Sequence, residues 1–227
     1  DIPGDLQQAF ICLEDKRFYK HDGVDWIRTI GAIVKYHGKQ GGSTLTQQLI
    51  KNLTEENQVT IARKLKEILY ALNLENNYNK DEILEAYLNT IPLGSGCYGV
   101  ETAADKYFGK DLNELTTAEC ACLASITKAP TAYNPLLYPE QNKDRRNMCL
   151  DYMLDEDAIT QETHDAAVKE DIVFTNSANY VPKKTSSESS SDSTINSYYV
   201  DYVIDTVISD MMEKYNYSKS EATRKVY

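Results

Sequence analysis

Apolar residues recur at helical spacing along most of the first 160 positions. After Pro3, Leu6, Ala9, Phe10 and Leu13 line one side of a helix whose far end carries Glu14 and Asp15. From Val24 to Tyr36, Trp26, Ile27, Ile30, Ile33 and Val34 share an arc opposite Asp25, Arg28 and Lys35. Packing into a core is the ordinary reading of such a stripe, and contact with a membrane surface is the alternative. Gly38 to Gly42 interrupts the pattern, and Ser43-Thr44 then offers an N-cap to a helix running through Gln47, Gln48, Leu49 and Ile50. Ile61, Leu65, Ile68, Leu69 and Leu72 predict a further amphipathic helix, with Arg63 and Glu67 opposite its apolar stripe.

Two start signals of the form polar, two residues, Glu follow. Asn79 with Glu82 opens a helix through Ile83, Leu84, Tyr87, Leu88 and Ile91 that Pro92 stops, and Thr116 with Glu119 opens one ending before Pro130. The turn Gly94-Ser95-Gly96-Cys97-Tyr98-Gly99 between them lacks the Gly-Lys-Ser/Thr ending of a nucleotide loop. No strong strand alternation precedes Ile172, so the fold class is mainly α. Residues 185–194, mostly Ser, read as a disordered loop, and a helical pair is expected after them.

The chain has 227 residues and a net charge of −11, which argues against a dedicated nucleic-acid binder. Its charge is unevenly spread. Residues 16–66 carry ten Lys or Arg against four acids, while 151–171 carry eight acids against Lys169 alone. Five cysteines without a CxxC pair fit buried thiols better than a disulfide framework or a zinc ribbon. No run approaches the length of a spanning helix. Both ends fall in mid-pattern, as expected of part of a longer chain.

Three histidines without nearby ligand partners, and no nucleophile-elbow sequence, leave carboxylates as the candidate chemistry. Glu14 lies between a helix and the turn Lys20-His21-Asp22-Gly23, where a side chain can face a cleft; a solvated surface acid is the competing reading. Arg63, Lys64 and Glu67 share one helix surface, with the cations preceding the acid, the poorer order for a simple helix salt bridge. Gly42-Ser43-Thr44-Leu45-Thr46-Gln47-Gln48 places hydroxyls and amides at a helix start, where they can cap or hold sugar hydroxyls and phosphate oxygens.

Together these blocks resemble the family 51 glycosyltransferases, the peptidoglycan polymerases of class A penicillin-binding proteins. Glu14-Asp15-Lys16-Arg17-Phe18-Tyr19-Lys20-His21-Asp22-Gly23 comes first, then the Gly42 to Gln48 block and Arg63-Lys64-Leu65-Lys66-Glu67. Lys80 to Asn89 and Arg145-Arg146-Asn147-Met148-Cys149-Leu150 complete the order, with Cys149 where the family usually has Val.

The resemblance implies a lysozyme-like, two-lobed domain over residues 1–171, with a head and a membrane-facing jaw. Residues 172–227 would be a linker and the truncated start of a transpeptidase region whose catalytic serine motifs are absent. It implies Glu14 and Glu67 as catalytic residues, and Arg17, Arg63, Lys64 and Lys128 as cations for a departing diphosphate. Asp15, Phe18, His21, Gly42, Ser43, Thr44, Gln47, Gln48, Lys51 and Asn52 would complete the substrate site. Glu85, Tyr87, Asn89 and Arg145 are assigned to lobe architecture. The implied substrates are lipid II and the growing glycan strand, with no obligatory cofactor and with Mg or Mn as an optional aid at the diphosphate. The implied location is the extracytoplasmic face of the bacterial membrane, anchored by an N-terminal helix absent here, with other cell-wall synthesis proteins as partners and no nucleic acid. A lytic enzyme on a related scaffold and a non-catalytic peptidoglycan-binding module are the rival readings.

Overall fold

The computed structural model describes residues 2–36, 42–54, 58 and 60–182, and for residues 32–36 the backbone only. Nine α-helices lie among them. In order they are α1 (Gly4–Glu14), α2 (Trp26–Tyr36), α3 (Leu45–Thr54), α4 (Ile61–Asn77), α5 (Lys80–Thr90), α6 (Val100–Phe108), α7 (Thr117–Ile126), α8 (Pro139–Asp155) and α9 (Gln161–Lys169). The described residues contain no named strand, only an isolated bridge between Pro92 and Tyr98. The class is mainly α, as expected.

The starts of these helices follow their capping chemistry. Asn79 and Thr116 each accept from the N–H three residues on, and Glu82 and Glu119 reach back to the cap N–H, closing both expected boxes. Thr44 and Gln47 do the same for α3: the Gln47 N–H donates to Thr44 Oγ1 at 3.1 Å, and the Thr44 N–H donates to Gln47 Oε1 at 3.0 Å. One of the two adjacent glutamines is therefore part of the cap.

At the centre lies α7, buried from Ala118 to Ile126. A helix enclosed on every side needs no polar face, and its Ala and Cys side chains let α1 and α8 pack closely on either side. Its one buried acid, Glu119, is paired with Lys110 at 2.7 Å. Around α7, the core draws on α1, α5, α6, α8 and α9, and on Leu45 and Leu49 of α3. All five cysteines are free and buried, as the sequence suggested.

Two helices stand largely outside this core. On α2, Trp26, Ile27 and Ile30 are 52%, 73% and 58% exposed, so the core-packing reading fails for the described part of its stripe; the side chains of Ile33 and Val34 lie outside the described residues. On α4, Ile61, Leu65 and Leu69 face outward while Glu67 is 4% exposed, so the usual inward apolar face is inverted.

Gly23 sets how the pair attaches. Its φ of +83° suits glycine, and a Cβ there would lie 2.7 Å from the Ala71 carbonyl of α4. The compact unit runs from Asp1 to Lys183, past the boundary expected at 171. Phe174 stacks on Phe108 at 5.9 Å, and the Thr175 N–H donates to the Tyr107 carbonyl, so residues 172–182 fold against the domain. The expected Ser-rich loop and the helices after it lie outside the described residues, as does His37. No described helix is long and apolar enough to cross a membrane.

Candidate active site

Glu14 is the last residue of α1, and its side chain is only 16% exposed. Gln48 Nε2 of α3 donates to its Oε2 at 3.0 Å, and Thr127 Oγ1, just past α7, donates to its Oε1 at 2.7 Å. The Arg145 guanidinium of α8 lies 3.5 Å from Oε1 and also donates to the Ser125 carbonyl at 3.1 Å. Arg28 of α2 donates to the Glu14 backbone carbonyl. Four elements converge on this residue, which removes the solvated-acid reading. Gln48, Thr127 and Arg145 can each donate to this carboxylate.

Gln48 is itself held. Tyr87 donates its hydroxyl to Gln48 Oε1 at 3.1 Å, which orients the amide so that its NH2 meets Glu14. Burial pushes the Tyr87 phenol well above its ordinary range, with the Glu14 and Asp15 charges adding to the effect, so the hydroxyl keeps the proton it donates. Tyr87 was assigned to architecture, and it acts on the site through Gln48.

The second carboxylate forms its own cluster. Glu67 accepts from Arg63 on one oxygen and from Lys64 on the other. Lys64 also donates to Ser43 Oγ at 2.8 Å. Ser43 lies just before the Thr44 cap of α3, and Gln48 is the fourth residue of that helix. The start of α3 thus touches Glu14 through Gln48 and, through Ser43 just before it, the Lys64 that pairs with Glu67.

Asp15 and His21 secure that start. Asp15 is fully buried, and its Oδ2 accepts from the Leu45 N–H at 3.0 Å and pairs with His21 Nε2 at 3.0 Å. An acid at the first N–H groups of a helix also meets the positive end of its dipole. Thr44 donates to the Gly23 carbonyl at 2.6 Å. Phe18 is fully buried, edge-on to His21, with Lys80 over its ring. Asp15, Phe18, Thr44 and Gln47, expected among the substrate contacts, are buried, and Asp15, Thr44 and Gln47 hold the start of α3.

Arg17 differs from the expectation as well. It grips Asp25 through two donors, Nε to Oδ2 at 2.8 Å and Nη2 to Oδ1. Burial alone would raise Asp25, yet the Arg17 guanidinium and the Arg28 N–H hold it below the usual carboxylate range, while the bond to Asp25 raises Arg17. This cation spends its charge on the turn before α2. Lys51 and Lys128 are exposed, and Gly42, Ser43 and Asn52 are half-buried. Glu85 is exposed and Asn89 half-buried on α5, whose apolar side faces the core as expected.

Thr127 carried no signal as a site residue, and Arg145 was placed in the scaffold. Both lie more than a hundred residues from Glu14, a distance that periodicity cannot bridge.

A transglycosylase family model matches residues 1–154. Penicillin-binding protein 1A of Haemophilus influenzae is 46% identical over 199 residues, covering 83% of this chain and 23% of its own length. The Aquifex aeolicus protein of that name is 45% identical over 183 residues, covering 79% of the chain and 25% of the relative. That of Clostridium perfringens is 38% identical over 239 residues, covering 99% and 34%. The chain thus spans between about a quarter and about a third of the length of these relatives. A crystal structure of the Haemophilus influenzae protein aligns with 94% of the chain and 20% of its own, at 30% identity and a TM-score of 0.48. With the match running from the first residue through α8 and both carboxylate clusters inside it, the chain belongs to the transglycosylase family.

Proposed function

We propose that the chain is a peptidoglycan glycosyltransferase that polymerises lipid II into glycan strands with inversion, releasing undecaprenyl diphosphate. The observation that carries this reading is the carboxylate of Glu14, poised among donors and joined through α3 to the Arg63–Lys64–Glu67 cluster. Glu14 takes the proton of the acceptor 4-hydroxyl as its oxygen attacks the donor's anomeric carbon, a role worth roughly 10² to 10⁴ in rate. The bond to the diphosphate breaks, and Arg63 and Lys64 meet the charge that develops there. Lys128, exposed beside Thr127, is a further cation for it. Glu67 holds Arg63 and Lys64 in place.

A divalent ion fits this donor set poorly. Both Glu67 oxygens already accept from cations, and no group of three His, Cys, Asp or Glu side chains suited to a metal occurs among the described residues.

A membrane surface is the natural partner of α2 and α4. Trp26, Ile27 and Ile30, with Leu53, Ile61, Leu65 and Leu69, are large apolar side chains left in water, amid the basic stretch of the sequence. A lipid-borne substrate at the extracytoplasmic face of the bacterial membrane would be presented there, with the residues after 183 leading toward a transpeptidase region.

Labelled lipid II incubated with the purified chain in detergent tests the reading. Polymer resolved on a gel supports it. Glycan fragments released from intact peptidoglycan, without polymer, would assign the chain to the lytic class, and binding without turnover would make it a capture module.

A further inference from the structure

The Thr127 hydroxyl faces two acceptors but holds one proton. Glu14 Oε1 lies at 2.7 Å and the Ala124 carbonyl at 2.8 Å. A threonine hydroxyl is one donor with two acceptor lone pairs, and its hydrogen turns about the C–O bond at little cost. The other fixed partner on this carboxylate behaves differently. Gln48 presents NH2, a donor only, to Oε2, and Tyr87 holds that amide in its orientation. The charged and titratable groups around the carboxylate include Arg145 and the buried Cys149 thiol on α8, Asp15 beside it in sequence, and Tyr87 on α5 behind Gln48, with Arg28 of α2 on the backbone carbonyl. None of them changes from donor to acceptor at Oε1.

From this geometry we infer that Thr127 is a positioning residue that serves Glu14 in both of its charge states, and that Oε1 is the oxygen on which the acceptor's proton comes to rest. The inference rests on the assignment of Glu14 as the base. Before transfer the Thr127 O–H donates to the ionised carboxylate, the stronger of its two bonds because the acceptor is charged. During transfer the sugar O–H bond breaks and the Oε1–H bond forms, while the new sugar oxygen–carbon bond replaces the carbon–diphosphate bond. The Thr127 hydrogen then turns to the Ala124 carbonyl, and the Thr127 oxygen accepts from the protonated Glu14. No bond to Thr127 is made or broken, and the negative charge departs on the diphosphate. The protonated acid keeps a partner on Oε1 without any heavy atom moving, which Gln48 could not provide on Oε2.

Besides its bond to Glu14, Thr127 is held within its own turn, its N–H and hydroxyl both meeting the Ala124 carbonyl, so thermal unfolding of each variant reads any effect on the fold. The test compares Thr127→Val, Thr127→Ala and Thr127→Ser in steady-state polymerisation of lipid II by the whole chain, with thermal unfolding measured on each. Losing a hydrogen bond to a charged group should lower kcat about tenfold to a hundredfold in the Val and Ala variants. KM should stay within about twofold of native, because a hydroxyl that acts only through Glu14 adds nothing to substrate binding. Thr127→Ser restores the rotating hydroxyl and should recover kcat to within about threefold.

If Val and Ala variants with native unfolding curves keep native kcat, or if Ser is as impaired as Ala, the inference is overturned. A rise in KM with unchanged kcat overturns it too, by showing a binding role. Glu14→Gln, assayed alongside, separates the two layers of the argument. An inactive Glu14→Gln with a fully active Thr127→Ala removes the inference and leaves the base in place, whereas an active Glu14→Gln removes the base itself.

Discussion

Single residues in this site are held by donors drawn from distant parts of the chain. Glu14 is gripped from α3, α8 and the end of α7, so its position depends on three packing contacts beyond its own helix. Glu67 is the more enclosed of the two acids, and both cations that neutralise it come from its own helix. A surface pair at that spacing contributes a few tenths of a kcal/mol. Burial on the Glu67 side raises the stakes, because truncation leaves two cations facing each other over a partly desolvated gap. Glu67→Gln should lower stability by about 1–2 kcal/mol, after allowing for the exposure of Arg63 and Lys64. Denaturant unfolding reads this directly; an unchanged midpoint would return the cluster to the status of an ordinary helix pair.

At the level of elements, the informative feature is a pair of helices that turn apolar faces outward. Such faces make no contribution to the core, so Ile27→Glu and Leu69→Glu should leave stability within about 0.5 kcal/mol of native. Binding to vesicles of anionic and zwitterionic lipid should weaken in both, because each places a carboxylate on the surface that would enter the interface. Co-sedimentation measures it, and equal binding by the variants would show that lipid meets another face. Elsewhere, α9 is tied to α8 by His164, whose Nε2 pairs with Asp151 at 2.9 Å while Nδ1 pairs with Asp165. The bonds to Asp165 and then Asp151 raise the imidazole above its ordinary value, against a small opposing effect of burial. A group raised on folding stabilises fully below its unfolded value of about 6.5, and that contribution fades as pH rises through the folded value. Thermal unfolding of His164→Gln should accordingly differ most from native near pH ~5.5 and converge with it in alkali. A gap that widened with pH would contradict the assignment.

Across the whole molecule, much of the fold was legible because helical period and caps are local signals. The starts of α3, α5 and α7 were read from Thr44, Asn79 and Thr116, and each cap is present. The less visible helices had other patterns. On α8, Asn142 and Arg146 are buried alongside Cys149, Leu150 and Met153, with Arg146 donating to the Val168 and Glu170 carbonyls, so polar residues interrupt the apolar face. Nine-residue α6 offers few positions between Gly99 and Gly109. For α4 the period was right, and the stripe it marks faces outward; a helical wheel distinguishes two faces without saying which one meets the core.

The site divides the same way. Its two carboxylates were named from sequence blocks, while Thr127 and Arg145 emerged only once the fold brought them to Glu14. The burial of Asp15, Phe18, Thr44 and Gln47 was likewise invisible to a pattern that shows which residue types neighbour each other but not how deeply they sit.

The account stands most directly on Glu14, and its closest test is the rate of lipid II polymerisation by Glu14→Gln, with unfolding recorded on the same preparation. The substitution keeps size and shape while removing the ability to take a proton. A fall of at least about 10² in rate, with a native unfolding curve, is the expected result. A natively folded variant that still builds polymer at near-native rate would contradict the account.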